Sequence, residues 1–184
     1  MLKTRIRKWC LLLLLLGCCM GVQAQYSMGN TGLLNIPTAD MQKAGTFMGG
    51  GNYLPNGMTP FNFNTGNYFV NITFLSFLEL SYRCTLLKTT RYDGKKGYFQ
   101  QDRSLSARIR PIEEGKYHPA IVIGTNDPFK DTGTNYFATI YGVLTKGFSI
   151  AKGDRLALTA GYYLPLNKHS IQDGPFGGIS YSPA

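Results

Sequence analysis

Cysteine is almost missing from the part of this 184-residue chain that can form a domain. Four cysteines occur, and Cys10, Cys18 and Cys19 fall within the first 19 residues. Cys84 remains, and one thiol builds no internal disulfide framework, so hydrogen-bond ladders and packing must hold the domain. Histidine is equally scarce. His118 and His169 each sit beside turn formers, with no nucleophile and carboxylate at an informative spacing. Both read as solvated loop histidines, and no catalytic residue is assigned. Helical patterning is also lacking: after Gln25, no window repeats apolar residues at the helical period with a cap at each end.

The first residues have a character of their own. MLKTRIRKW carries Lys3, Arg5, Arg7 and Lys8 without an acid, Cys10 to Leu16 is continuously apolar, and GCCMGVQA ends in small residues. That order is the tripartite pattern of a secretory signal, and the apolar stretch is shorter than the roughly 20 residues a spanning helix needs. Cleavage is expected after Ala24, with Val22 and Ala24 as the small-residue pair. The alternative is lipoprotein processing, because Leu15-Leu16-Gly17-Cys18 resembles a bacterial lipobox and would place the lipid on Cys18. Removing residues 1–24 takes four bases and no acid, leaving 15 bases against 10 acids. A mildly cationic exported domain suits anionic neighbours, acidic glycans or lipid headgroups, and argues against a nucleic-acid partner.

Residues 25–184 read as a single β-domain. Strand-like runs are expected at Thr46–Tyr53, Asn67–Leu75, Phe77–Leu86, Phe99–Arg110, Pro119–Thr125, Asn135–Lys146, Arg155–Leu164 and Phe176–Tyr181. Between them stand LPNGMTP, RYDGKKG, IEEGKYHP, NDPFKDTG, AKGD and LNKHSIQDGP, rich in the residues that turns require. The predicted class is an all-β antiparallel meander.

Its faces pose the question of which side is wet. In SFLELSYRC, Leu78, Leu80, Tyr82 and Cys84 share one face, and Phe77, Glu79, Ser81 and Arg83 the other. Tyr68, Val70, Ile72 and Phe74 oppose Asn71 and Thr73; Leu105, Ala107 and Ile109 oppose Ser104, Ser106, Arg108 and Arg110; Leu156, Leu158, Ala160, Tyr162 and Leu164 oppose Arg155, Thr159 and Tyr163. A soluble sandwich and a transmembrane barrel write this code with opposite polarity. Tyr98, Phe99, Tyr117, Phe148, Tyr162 and Tyr163 suit either an interfacial girdle or an aromatic core.

Other motifs carry little chemistry. Gly49-Gly50-Gly51 lacks the Lys-Ser/Thr of a phosphate loop and reads as a bend. Asp127, Asp131 and Asn135 do not have the spacing of a calcium loop and are ordinary turn formers. No metal and no cofactor is assigned. Asn71-Ile72-Thr73 matches the glycosylation acceptor but lies inside a strand.

NTGLLNIPTADMQKAGTF (30–47), FLSFLELSYRCT (74–85) and the run from Asp102 to Lys146 resemble, in order and spacing, the YjbH-like outer-membrane proteins associated with exopolysaccharide production. The matching positions are Gly32-Leu33 and Pro37-Thr38-Ala39, Glu79 with Tyr82-Arg83, and Ile123-Gly124 with Asp127 and Gly133-Thr134. Asn135 stands where a second glycine is usual. The resemblance implies an outer-membrane β-barrel that assists exopolysaccharide production or export without catalysis. Its partners would be outer-membrane lipid, acidic polysaccharide and other export proteins. The chain stops at ISYSPA, as a strand begins, which reads as a truncated member.

On that reading the polar face is the lumen. Arg83, Arg108, Arg110 and Arg155 become candidate glycan contacts, with Glu79 and Arg83 as a candidate lumen ion pair; alternatively the arginines only tie the wall together. Arginine introduced at a lipid-facing leucine is expected to be costly, and at Ser81 or Thr159 mild. A secreted or periplasmic glycan-binding β-domain and an outer-membrane lipid-acting enzyme remain as alternatives.

Overall fold

The structure is a computed structural model and describes residues 26–27, 29–55, 64–90, 96–129, 137–150, 153–168, 170 and 172–183. The expected signal, Cys18, His169, Asp131 and Gly133-Thr134-Asn135 lie outside the described residues, as do the side chains of Tyr98 and Phe99.

Eight strands form one sheet in chain order. They are β1 (Thr46–Leu54), β2 (Thr65–Leu75), β3 (Leu78–Thr90), β4 (Lys96–Ile112), β5 (Ala120–Asn126), β6 (Thr139–Ser149), β7 (Arg155–Pro165) and β8 (Gly174–Ser182). All seven pairings are antiparallel. Each expected run overlaps one of them, the run from Asn135 only from Thr139 onward, because β-branched and aromatic residues bounded by Gly, Pro, Asn and Asp leave hairpins as the natural connection. Bulges between Thr73 and Leu75 and between Ile109 and Ile112 add local bend and twist. The sheet curls into a half-barrel, with β1 and β8 as the edges of the described sheet.

The polarity of the two faces is the reverse of a soluble domain's. The convex face exposes Tyr68, Val70, Ile72, Phe74, Leu80, Tyr82, Leu105, Ile109, Ile123, Leu144, Leu158, Tyr162 and Leu164. The concave face buries Asn71, Thr73, Glu79, Ser81, Arg83, Ser104, Ser106, Arg108, Asn126, Thr139 and Thr159. Strand alternation therefore sends the oily residues outward, all round the curve.

Residues 26–27 and 29–45 precede β1 and cross the concave face as an inner segment. Its turns knit it together: Gly32 bridges Pro37, the Leu33 N–H donates to the Ile36 carbonyl at 2.9 Å, and the Ser27 N–H to the Leu34 carbonyl at 2.9 Å. Ala39 joins Ala120, Val122, Tyr141, Val143 and Tyr163 in a small apolar cluster, with Met41 and Phe176 against it. One side of the segment thus packs on β5–β8, while its polar side faces β2–β4.

Candidate functional site: a filled polar lumen

The concave site is built where β2, β3 and β4 lie side by side. Register sets Asn71 opposite Ser81, Glu79 opposite Arg108, and Arg83 opposite Ser104. Glu79 is fully buried and accepts four hydrogen bonds: from the Thr31 N–H at 2.9 Å, the Thr31 hydroxyl at 3.0 Å, Asn71 at 2.7 Å and Arg108 at 2.8 Å. Arg108 also donates to the carbonyls of Thr31 at 2.9 Å, Thr38 at 2.9 Å and Asp40 at 2.6 Å. Asn71 reaches the Gly29 carbonyl at 2.8 Å, and the Ser81 hydroxyl the Asn30 side chain at 2.6 Å. A buried ion pair is tolerable only when its remaining lone pairs and protons are satisfied, and here backbone groups of the inner segment do most of that.

Further contacts fix the segment against β6, β7 and the loop that follows. The Ala39 N–H donates to the Thr145 hydroxyl at 2.8 Å, and the Tyr26 hydroxyl meets the Tyr163 hydroxyl at 3.1 Å and Gln172. Burial pushes the Tyr26 hydroxyl above its ordinary value, so it stays protonated and available for those bonds.

At the rim, Arg155 bridges Asp40 and Glu114, each at 2.9 Å. Lys146 lies 3.3 Å from Glu114, whose carboxylate also accepts the Gly147 N–H at 2.6 Å. Burial raises the Glu114 pKa, but the Gly147 N–H and the Arg155 and Lys146 cations outweigh it and hold the group below its ordinary value. Beside this cluster a pocket of about 560 Å³ is lined by Thr31, Thr38 and Asp40 of the inner segment and by Arg155, Ser180 and Ser182 of β7 and β8. Among the described residues no three His, Cys, Asp or Glu side chains converge as metal ligands.

A family model described as exopolysaccharide biosynthesis protein YbjH, of the family YjbH, matches residues 24–166, more than half of the chain. The chain belongs to the YjbH family. No match was found among curated proteins or among solved structures.

The motifs that resembled this family acquire physical reasons. Gly32-Leu33 and Pro37-Thr38-Ala39 form the inner segment's turn. A Cβ on Gly32 would sit 2.5 Å from the Ile36 carbonyl oxygen and 2.9 Å from the Pro37 Cα, so only glycine allows that approach. Gly124 lies directly opposite Tyr141, whose ring atoms would come within 2.3 Å of an added Cβ. The absent side chain is the space that the buried Tyr141 fills.

The four candidate arginines occupy four different environments. The expected Glu79–Arg83 pair does not form. Four residues along one strand spans about 13 Å, whereas directly opposed residues lie about 5 Å apart, so Glu79 pairs with its cross-strand neighbour Arg108. Arg83 instead faces Asp102 at 3.4 Å and the Phe137 ring at 4.2 Å. Arg108 is spent on the inner segment. Arg110 lies near the bulge, bonded to the Ser76 carbonyl at 2.8 Å and to the exposed Glu113 at 3.0 Å. Arg155 is at the rim and balanced by two acids. Tyr117, Phe148 and Tyr162 are exposed as a girdle would be, but Tyr163 points inward and is buried.

Sequence reasoning assigned no site role to Asn30, Thr31, Asn71, Asp40, Asp102 or Glu114. Asp102 was legible, since it falls in the fourth position of the expected Phe99–Arg110 strand, two residues from Ser104 and on the same face. Glu114 depends on how the loop after β4 reaches β6 and β7, and the others on where the segment before β1 travels, whose only local signal was turn chemistry in a stretch without a strand period.

Proposed function

We propose that this YjbH-family chain forms the wall of an outer-membrane β-barrel in a Gram-negative envelope and assists, without catalysing a reaction, the production or export of an exopolysaccharide. The reversed polarity of the faces carries this reading. A curved sheet whose outer surface is a continuous field of Leu, Ile, Val, Phe and Tyr, and whose inner surface buries Glu79, Arg83 and Arg108, is stable where the exterior is hydrocarbon. A soluble glycan-binding β-domain would have to leave that convex face in water. The family's link to exopolysaccharide supplies the biological context. The convex face meets lipid, the lumen side meets polymer or export partners, and the inner segment sets how much of the lumen is open.

The test is fractionation followed by output. The protein should remain with the outer membrane through carbonate and high-salt washes, and deleting its gene should lower secreted polymer while cytoplasmic precursor synthesis continues. Release of the protein into the soluble fraction by either wash would sink the proposal.

A further inference from the structure

The rim pocket has room for a guest, and its polar groups can be reached. Its volume of about 560 Å³ falls in the range of roughly 300 to 1,000 Å³ that small-molecule sites occupy. Asp40 and Arg155, which line it, are half-buried, in contrast to the sealed pair of Glu79 and Arg108. Strand alternation puts Ser180 and Ser182 on the concave face of β8, in phase with the inward-packed Phe176. Gly178 comes between them and Phe176. The Leu33 and Ile36 side chains lie 2.6 and 2.7 Å from where its Cβ would be, so the inner segment's turn leans on β8 beside the pocket. Leu33, Met41 and Pro183 add apolar surface to the lining.

The chemistry of the lining narrows the guest. Arg155 and Lys146 stand against Asp40 and Glu114, two cations against two anions, so the rim is already balanced. A guest carboxylate would have to draw Arg155 away from one of its acids, whereas an uncharged hydroxyl needs no such exchange. A guanidinium only donates, a carboxylate only accepts and has lone pairs beyond its contact with one cation, and a serine hydroxyl does both. Several neighbouring hydroxyls on one guest match all three. We propose that the rim pocket binds an uncharged sugar unit: Asp40 accepts from its hydroxyls, Arg155 donates to them, Ser180 and Ser182 do either, and Leu33 and Met41 meet its C–H face. This deepens the reading of an exopolysaccharide-associated barrel and rests on it. Of the four arginines on the polar face, the one that meets polymer is then Arg155, and it meets a neutral unit.

Cellobiose, lactose and chitobiose are the probes, and the sample is the full chain folded in a detergent that has no sugar headgroup. Calorimetric titration should show saturable binding of at least one of them, severalfold tighter than glucuronate. Ser180→Phe fills the pocket from the β8 side without touching the ion cluster and should abolish binding. Ser180→Ala combined with Ser182→Ala should weaken it severalfold, as the loss of two hydrogen bonds does. Asp40→Asn should weaken it too, while the Asp40 carbonyl still accepts from Arg108 and keeps the segment seated. Lys168→Ala, exposed at the opposite end of the sheet, should change nothing. Should Ser180→Phe fail to fold, the serine-to-alanine pair decides: unchanged binding there overturns the site. Absence of saturable binding of all three disaccharides to folded wild type overturns the proposal. Tighter binding of glucuronate overturns the uncharged assignment, and displacement of the disaccharide by an equal concentration of phosphoethanolamine overturns the sugar in favour of a lipid headgroup. Release of the protein from membranes on washing leaves these titrations standing and strikes the barrel reading instead.

Discussion

Arg108 and Arg155 meet at the same residue of the inner segment, Asp40, one through its carbonyl and the other through its carboxylate, and they do it with different physics. Arg108 is fully buried beneath the segment and binds three of its carbonyls together with Glu79. Arg155 is about 36% exposed at the rim and shares itself between the side chains of Asp40 and Glu114. Both look alike on a strand diagram, an arginine on the polar face of an amphipathic run. What separates them is depth: an ion pair at low dielectric is strong once formed and ruinous when half removed, while a rim pair is screened by water and salt.

The largest effect follows from removing one member of the deep pair. Arg108→Gln or Glu79→Gln should cost about 3 to 5 kcal/mol, read as a shift of the urea midpoint for the protein folded in micelles, whereas Arg155→Gln should cost about 0 to 1 kcal/mol. The Glu79 and Arg108 changes together should cost less than their sum, because each leaves the other charge stranded. Equal costs for Arg108→Gln and Arg155→Gln would erase the distinction between the two depths.

The same contrast applies across the sheet. Leu80 is on the convex face, and arginine there should cost about 2 to 4 kcal/mol if the site sits at the bilayer midplane. The neighbouring Ser81 cannot be the mild control that its sequence suggests. It is 2% exposed and bonded to Asn30, so an arginine would have to displace the inner segment. Leu80→Arg should therefore lower insertion, while Ser81→Arg should insert yet expose residues 26–45 to added protease. Protease resistance in Ser81→Arg would mean that the segment is not seated where the structure places it.

These residues mark how far the sequence could be read. Period-two alternation in strands such as FLELSYRC gave the eight strands and which residues share a face, because those properties are local. Whether the oily face points outward is not local, since it depends on the curvature of the whole sheet, and the resemblance to a family had to supply it. Ion-pair partners were still less accessible. Glu79 and Arg83 are close in sequence and on one face, but Glu79 meets Arg108, 29 positions away, because the hairpin brings β4 alongside β3 in that register. The inner segment was invisible as a structural element: its strength lies in backbone carbonyls accepted by distant side chains, which no window of its own residues displays.

A smaller effect tests the close packing of β5 against β6 beneath the apolar cluster. Gly124→Ala places a methyl within 2.3 Å of the Tyr141 ring, at a position where the ring is buried and has little freedom to move. Overpacking of this kind costs about 1 to 3 kcal/mol. Tyr141→Phe in the same background should not relieve it, because the ring carbons clash as well as the hydroxyl, whereas Tyr141→Leu should recover part of the loss. Gly142→Ala, where nothing lies within 4 Å of an added Cβ, is the matched control and should change little.

The rim supplies the smallest effect and a pH signature of its own. Glu114 is held below its ordinary value of 4.5, chiefly because the Gly147 N–H, Arg155 and Lys146 stabilise its charged form against the opposing pull of burial. A depressed carboxylate contributes stability that is fully present above its unfolded-state pKa and is lost as pH falls through its folded value. The difference in urea midpoint between wild type and Glu114→Gln should accordingly be small and constant near neutrality, within about 1 kcal/mol, and shrink as the medium is acidified below the ordinary carboxylate range. Salt should shrink it as well, because both partners reach water. Loosening of Arg155 frees Asp40 and with it the mouth of the rim pocket, so limited proteolysis of residues 26–45 should rise over the same acidic interval in wild type and already be raised at neutral pH in Glu114→Gln. A Glu114→Gln difference that grows on acidification would reverse the sign of this coupling and show that the carboxylate is strained, rather than stabilised, by its place at the rim.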